Sequence, residues 1–138
     1  MKNSTRLFIQ DLDSRGILYS VEREGFDDES DVISVQYVGE NMKDIRTLMF
    51  FSDSDVCYKI FSIAKVPNAK RAAVLEKINE LHNQWRWVSL GIDGDNEIFS
   101  ELDVFCSEAN IEICTLGLFQ IVDITDKCYP EIMKTLWS

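Results

Sequence analysis

The middle of the chain carries apolar residues at every second position, whereas the segments on either side repeat them with a helical period. Within residues 32–38, Ile33, Val35 and Tyr37 alternate with Ser34 and Gln36. This alternation is typical of a strand that buries one face. Residues 32–38, 45–51 and 56–63 are therefore predicted strands, and residues 16–24 are a fourth candidate.

Short connections determine the direction of these strands. The polar break at residues 53–55 has room for a hairpin turn, and a connection that short cannot return a strand in parallel. Residues 86–92 and 97–106 form a second predicted hairpin, because Asp93-Gly94-Asp95-Asn96 between them is a strong turn sequence. The predicted sheet is thus antiparallel.

Helical patterns occur in three places, of which the first covers residues 5–14. The second follows Pro67, whose fixed φ suits a first helical turn. Its apolar stripe consists of Val74, Leu75, Ile78, Leu81, His82 and Trp85. The third stripe includes Ile113, Leu116 and Cys128, after which Tyr129-Pro130 is predicted to break or kink the helix before a last piece at residues 132–137.

The order of these elements predicts the fold class. It is an α+β domain in which an antiparallel sheet is flanked by three helices, in the order α-β-β-β(-β)-α-β-β-α. No linker, repeat or low-complexity segment divides the chain, so residues 1–138 are expected to form one domain.

The second hairpin carries the candidate binding residues. Its alternation directs Leu90 and Leu102 toward the helices and directs Trp87, Phe99 and Phe105 to the opposite, solvated face. Three aromatic side chains on such a face need a cover. A partner, either a second copy or a polypeptide client, is one cover. The alternatives are that a helix packs there or that a bulge shifts the register.

The charge of the chain narrows the classes of partner. Its 138 residues include 24 Asp and Glu against 14 Lys and Arg, which leaves a formal charge of −10. Such a chain repels phosphate unless it has a segregated basic patch, and the sequence shows no large one, so no nucleic-acid partner is predicted. No apolar run reaches the about 20 residues of a membrane-spanning helix, so no membrane partner is predicted either.

Few residues in the sequence suit catalysis. The single histidine, His82, lies within an apolar helical stripe, where a structural hydrogen bond is the simpler role. The sequence has no nucleophile motif, no phosphate-binding glycine loop and no CxxC pair. We therefore predict a non-enzymatic protein with no cofactor and no metal.

An acidic cluster, Asp27-Asp28-Glu29 with Asp31, supports an alternative function. Carboxylate oxygens suit Ca²⁺ or Mg²⁺, and pairs of carboxylates perform hydrolysis. A divalent-metal-responsive domain or a carboxylate-dependent hydrolase using residues 27–31 is therefore the competing hypothesis. A solvated acidic loop is the simplest interpretation of the same residues.

Cysteine usage indicates the compartment. Cys57, Cys106, Cys114 and Cys128 have neither CxxC nor zinc-site spacing. The N-terminal residues contain no apolar stretch of signal-peptide length. Reduced thiols and a cytoplasmic location are therefore expected.

Two segments, PNAKRAAVLEKINELHNQWRWVSLGIDGDNEI and CYPEIMKTL, resemble the YbjN-like family of small bacterial proteins. The shared elements are Pro67 at the head of a helix, Ile78-Asn79-Glu80-Leu81, the hairpin turn at 93–96, and Tyr129-Pro130. The segment Trp85-Arg86-Trp87 departs from the family's usual entry into the hairpin.

The family is similar in fold to type III secretion chaperones, which are small, acidic, homodimeric α+β proteins that bind extended effector segments. The resemblance implies a homodimeric, chaperone-like or regulatory adaptor of the kind described as a sensory-transduction regulator. It carries over no catalytic residues.

Overall fold

A computed structural model describes residues 1–138, and its elements follow in the predicted order. They are α1 (Asn3–Ser14), β1 (Ser20–Arg23), β2 (Asp31–Tyr37), β3 (Ile45–Phe51), β4 (Asp55–Ile60), α2 (Arg71–Gln84), β5 (Ser89–Ile92), β6 (Ile98–Phe105) and α3 (Ile111–Leu136). Short 3-10 turns, Asn68–Lys70 and Glu108–Asn110, precede α2 and α3.

The six strands form one antiparallel sheet in the order β1-β2-β3-β4-β6-β5, which confirms the predicted fold class. Four strands precede α2, so the candidate first strand exists, although it is reduced from residues 16–24 to Ser20–Arg23. The strand predicted at residues 56–63 begins at Asp55 and ends at Ile60.

The helices pack on one side of the sheet, which we call the helix face. The ring of Phe8 on α1 lies 5.1 Å from the ring of Phe51 on β3. On α3, the Cys114 carbonyl accepts a hydrogen bond of 2.5 Å from Tyr58 Oη of β4. Burial alternates along β3 and β4 as a sheet with one covered face requires.

The helices themselves show the stripes that the sequence predicts. The buried residues of α2 are Val74, Ile78 and Leu81, spaced to share one side of the helix. This helix packs against α3 and β5, while α1 packs against α3. None of the helices combines the length and the hydropathy that crossing a bilayer would require.

The last helix does not break at Tyr129-Pro130, because α3 continues through Pro130 to Leu136. Proline has no N–H, so the carbonyl of Asp126 loses the donor that a regular helix would supply four residues later. The side-chain amide of Asn41 replaces it, with Nδ2 donating to that carbonyl at 3.1 Å. A loop distant in sequence thus compensates for the proline.

The same loop, between β2 and β3, is fastened to α3 by the carboxylate of Asp126. The N–H groups of Glu40, Asn41 and Met42 donate to it at 3.0, 3.0 and 2.8 Å. Burial alone would raise the pKa of Asp126, but these donors outweigh burial and lower it. Gly39 permits the close approach, since a Cβ there would lie 2.2 Å from the Asp126 oxygen.

The entry to the second hairpin also differs from the prediction. Strand β5 begins at Ser89, whereas the sequence predicts a strand from residue 86. Trp87 lies before the strand with φ of +77°, in the left-handed region. The chain has only four residues in which to turn from α2 into β5, and this conformation makes that turn. The orientation of Trp87 therefore does not follow from strand alternation.

Candidate functional site

The side of the sheet opposite the helices is open on β3, β4 and β6, and we call it the outer face. It presents Leu48 and Phe50 of β3, Cys57 and Lys59 of β4, and Phe99, Glu101, Asp103 and Phe105 of β6. All of these side chains are partly or fully exposed. No helix covers them, which removes one of the sequence-based alternatives for the aromatic residues.

Phe99 and Phe105 lie on the outer face, as the alternation predicts. Phe99 is half-buried because its ring lies over Gly91, its partner on β5, where a Cβ would come within 2.6 Å of the ring. Phe105, at the end of β6, is 84% exposed. The two rings thus offer apolar surface that the monomer leaves in water.

Trp87 lies apart from these two residues, in a groove between α3 and the end of β6. Its walls are Trp87 and, from α3, Ile113 and Leu116, and its floor includes Leu102, Asp103 and Val104 of β6. The volume is about 460 Å³. We call it the β6 groove. The structure therefore brings Phe99 and Phe105 to one surface and Trp87 to an adjoining one.

A polar cluster occupies the centre of the outer face. The thiol of Cys57 and the carboxylates of Glu101 and Asp103 have donor atoms within 4.8 Å of one another, which is a spacing that can hold a metal ion. Burial, and then the two neighbouring carboxylates, raise the pKa of Cys57 far above its usual range. The thiol keeps its proton and donates to Glu101 Oε1 at 3.4 Å. A thiolate is the reactive and ligating form, so this thiol is not activated.

Lys59 forms an ion pair with one member of this cluster. Its Nζ lies 3.9 Å from the Glu101 carboxylate and 5.7 Å from the centre of the Phe61 ring. Both partners of the ion pair are about one-third exposed, so solvent weakens their attraction. The Asp103 carboxylate has no ion-pair partner of its own. The outer face is therefore apolar at its ends and acidic at its centre.

The acidic cluster at residues 27–31 does not converge on a single point. Asp31 is fully buried and accepts hydrogen bonds from Lys2 N–H, Thr5 Oγ1 and Gly25 N–H at 2.7 to 2.8 Å. Glu29 faces Arg23 at 3.6 Å instead. The buried carboxylate thus ties the start of α1 to the loop before β2.

His82 has the structural role that the sequence favours. Its Nε2 accepts the backbone N–H of Leu90 at 2.9 Å, which satisfies a donor on the free edge of β5. The ring proton therefore lies on Nδ1. The same bond shows that Leu90 directs its backbone away from β6.

Sequence reasoning missed Ile113 and Leu116 as candidate binding residues. Their spacing placed them in the apolar stripe of α3, yet they are 55% and 57% exposed. The buried side of α3 lies elsewhere and includes Cys114, Leu118 and Ile121. The only available signal was the number of apolar residues in this part of α3, which occupy more than one side of the helix.

Comparison with known proteins bears on the fold. No protein-family model and no curated protein sequence matches the chain. Among solved structures, E. coli YbjN, described as a proposed transcription regulator, aligns with a TM-score of 0.61 at 11% identity, over 92% of this chain and 89% of that one.

Two complexes contain chains of similar fold. In the ExsC–ExsE complex the TM-score is 0.56 at 10% identity, over 91% of this chain and 92% of that one. In the heterodimeric ExoU–SpcU complex from the type III secretion system of Pseudomonas aeruginosa it is 0.51 at 9%, over 75% and 82%. The chain thus has a YbjN-like fold, similar to that of type III secretion chaperones.

Proposed function

From this fold, we propose that the chain is a non-enzymatic protein-binding module, a chaperone-like or regulatory adaptor that binds a polypeptide client. The proposal is supported by two solved complexes of the same fold, ExsC–ExsE and ExoU–SpcU, each of which joins two proteins. YbjN, described as a proposed regulator, is consistent with the adaptor role.

The observation that carries the proposal is the uncovered outer face. A sheet face that carries aromatic side chains and faces water is expected to be an interface. Phe105 is 84% exposed and Phe99 is half-buried on the outer face, while Trp87, on the adjoining surface, is 74% exposed. We propose Trp87, Phe99 and Phe105 as contact residues.

We further propose that the chain acts as a homodimer in the cytoplasm. An interface of about 800 Å² per protomer is ordinary for a stable complex, and the outer face spans three strands. Lys59 of one protomer facing the acidic centre of the other would match opposite charges. The four free cysteines are consistent with a reducing compartment.

The experiment that tests this proposal replaces Phe99 and Phe105 by Ser. The double variant is expected to fold, since both side chains lie on the uncovered face, and to lose dimer mass or client capture because the apolar contact is removed. Light scattering coupled to size-exclusion chromatography measures the mass, and a pull-down from the native cell measures capture.

Phe26→Ser is the matched control. Phe26 is 76% exposed but lies in the loop between β1 and β2, away from the outer face. It is expected to behave as the wild type in both measurements. If the double variant also matches the wild type in mass and in capture, the outer face is not the interface.

A further inference from the structure

Strand β6 is longer than its neighbour β5, so part of its edge has no partner. β5 pairs with β6 only from Ile98 to Glu101, and β6 continues to Phe105. The N–H of Ile98 donates to Ala64 and that of Cys106 to Ser54, both on the β4 side. Even-numbered residues of β6 therefore face β4 with their backbone, and odd-numbered residues face the other edge.

Asp103 is the first odd-numbered residue beyond the reach of β5. Its backbone N–H and C=O point to the open edge, where no backbone group meets them. The next such carbonyl, that of Phe105, accepts Asn110 Nδ2 at 2.6 Å. The unpaired edge is thus a short, defined stretch centred on Asp103.

Trp87 keeps this edge open. If β5 extended toward its N-terminus in the same register, Trp87 would lie opposite Asp103, but its left-handed φ turns the chain away. Its side chain becomes a wall of the β6 groove, facing Ile113 and Leu116 across the gap. A free strand edge and an apolar groove therefore coincide.

The charge of the groove distinguishes between possible occupants. Asp103 is the only ionisable residue that lines it, and Asp103 has a second carboxylate, Glu101, beside it on the outer face. A second copy of this chain, paired through the same edge, would set two Asp103 carboxylates side by side, and like charges in that position destabilise a sheet. A strand with basic side chains on its outer side would meet opposite charges.

We infer that the β6 groove receives an extended client segment that adds a strand beside Asp103 and alternates apolar with basic residues. Its apolar side chains enter the groove between Trp87 and α3, and its basic side chains lie on the outer face by Asp103 and Glu101. Its backbone pairs with the N–H and C=O of Asp103. The inference rests on the proposed function and specifies the chemistry of the client.

The probe is a capped, fluorescently labelled peptide of alternating lysine and valine, measured by fluorescence anisotropy with the full chain. We expect it to bind, and a peptide of alternating glutamate and valine to bind about threefold more weakly or not at all. Methylating the peptide nitrogen that faces the Asp103 carbonyl removes one hydrogen bond and places a methyl group between the two strands, and it is expected to weaken binding about tenfold. Methylating the nitrogens on the opposite edge is the matched peptide control.

Protein variants locate the site. Ile113→Asp with Leu116→Asp is expected to abolish binding, whereas Leu75→Asp, at a 45% exposed position of α2, leaves it unchanged. Asp103→Lys is expected to reverse the preference in favour of the glutamate peptide. Circular dichroism verifies that each variant folds, and the peptide series on the wild type tests the inference without any substitution.

Four results would overturn the inference. The first is failure of the wild type to bind the lysine peptide, and the second is an equal effect of methylation on the two edges of the peptide. The third is loss of peptide binding only in the double variant Phe99→Ser, Phe105→Ser. The fourth is a dimer of the wild type that dissociates when Ile113→Asp and Leu116→Asp are combined. The third result leaves the proposed function standing with its client on the outer face. The fourth would make the groove an interface between two copies.

Discussion

The two faces of the sheet are built from the same strands but differ in their surroundings. Phe51 of β3 points to the helix face, is fully buried and contacts Phe8 of α1. Phe50, its neighbour in sequence, points to the outer face and is only half-buried. The strand pattern creates both faces, and the position of the three helices decides which one becomes the core. The other face remains exposed to solvent.

The carboxylates on the covered and uncovered sides of the sheet also differ in their surroundings. On the covered side, Asp31 and Asp126 each accept three or more protein donors and hold loops in place. On the outer face, Glu101 and Asp103 lie beside each other and beside a protonated thiol. The first pair is held by backbone and hydroxyl donors of the fold, whereas in the second pair Glu101 has only Lys59 and the Cys57 thiol as partners and Asp103 has no ion-pair partner.

The largest expected effect separates the two faces at adjacent residues. Phe51→Ala is expected to lower the free energy of unfolding by about 3–5 kcal/mol, because it opens a cavity in the core. Phe50→Ala, the matched control, is expected to cost about 1 kcal/mol. Urea denaturation measures both. Equal costs would mean that the outer face is as well packed as the core.

Asp126→Asn tests the fastening of the β2–β3 loop. The amide cannot accept all the N–H groups that the carboxylate accepts, so we expect a loss of about 1–3 kcal/mol. Asp123→Asn is the control, since Asp123 is exposed and pairs only with Lys127 at 2.9 Å. Thermal and urea unfolding measure the difference. Similar losses of unfolding free energy in both variants would show that the hydrogen bonds from the β2–β3 loop to Asp126 add no stability beyond that of an exposed carboxylate.

Acid is expected to remove part of this stabilisation. The pKa values of Asp31 and Asp126 are lowered in the folded chain, because their N–H and hydroxyl donors outweigh the effect of burial. Their contribution is therefore complete above the unfolded pKa of about 3.9 and is lost as the pH falls through the folded value. Urea unfolding between neutral and acidic pH would show the wild type and Asp126→Asn converging at low pH. A constant gap would contradict this explanation.

The smallest effect is expected on the outer face. Lys59→Met removes an ion pair whose nitrogen and oxygen lie 3.9 Å apart and are partly exposed, so the stability of the monomer is expected to change by about 0.5 kcal/mol or less. Urea denaturation at low protein concentration measures it. A loss comparable to that of Phe51→Ala would mean that the outer face supports the monomer fold.

Local signals account for the parts of the fold that the sequence predicted well. The second hairpin turn is made by its own residues, since Asp93 Oδ1 accepts the N–H groups of Asp95 and Glu97. By contrast, the carbonyl that Pro130 leaves without a donor in α3 is satisfied by Asn41, which is 85 positions away from its acceptor, Asp126. A contact at that separation leaves no trace in the local sequence pattern, which by itself predicts a break or a kink at Tyr129-Pro130.

The residues of the candidate site show the same difference between local and long-range signals. Strand alternation predicts the sheet face of Phe99 and Phe105, because it determines which side of the sheet a residue faces. The position of Trp87 was wrong because a left-handed residue interrupts the strand, and the exposure of Ile113 and Leu116 depends on how α3 is rotated against the sheet. Neither feature is encoded by neighbouring residues alone.

The sequence by itself determined the elements, their order, the antiparallel turns and the acidic character of the chain, because periodicity, turn residues and charge act over a few positions. Only the tertiary structure decided that no helix covers the outer face, where β6 remains unpaired, and which carboxylates accept hydrogen bonds from the backbone. Those features arise from contacts between segments far apart in the chain, and such contacts leave no signal in the local sequence pattern.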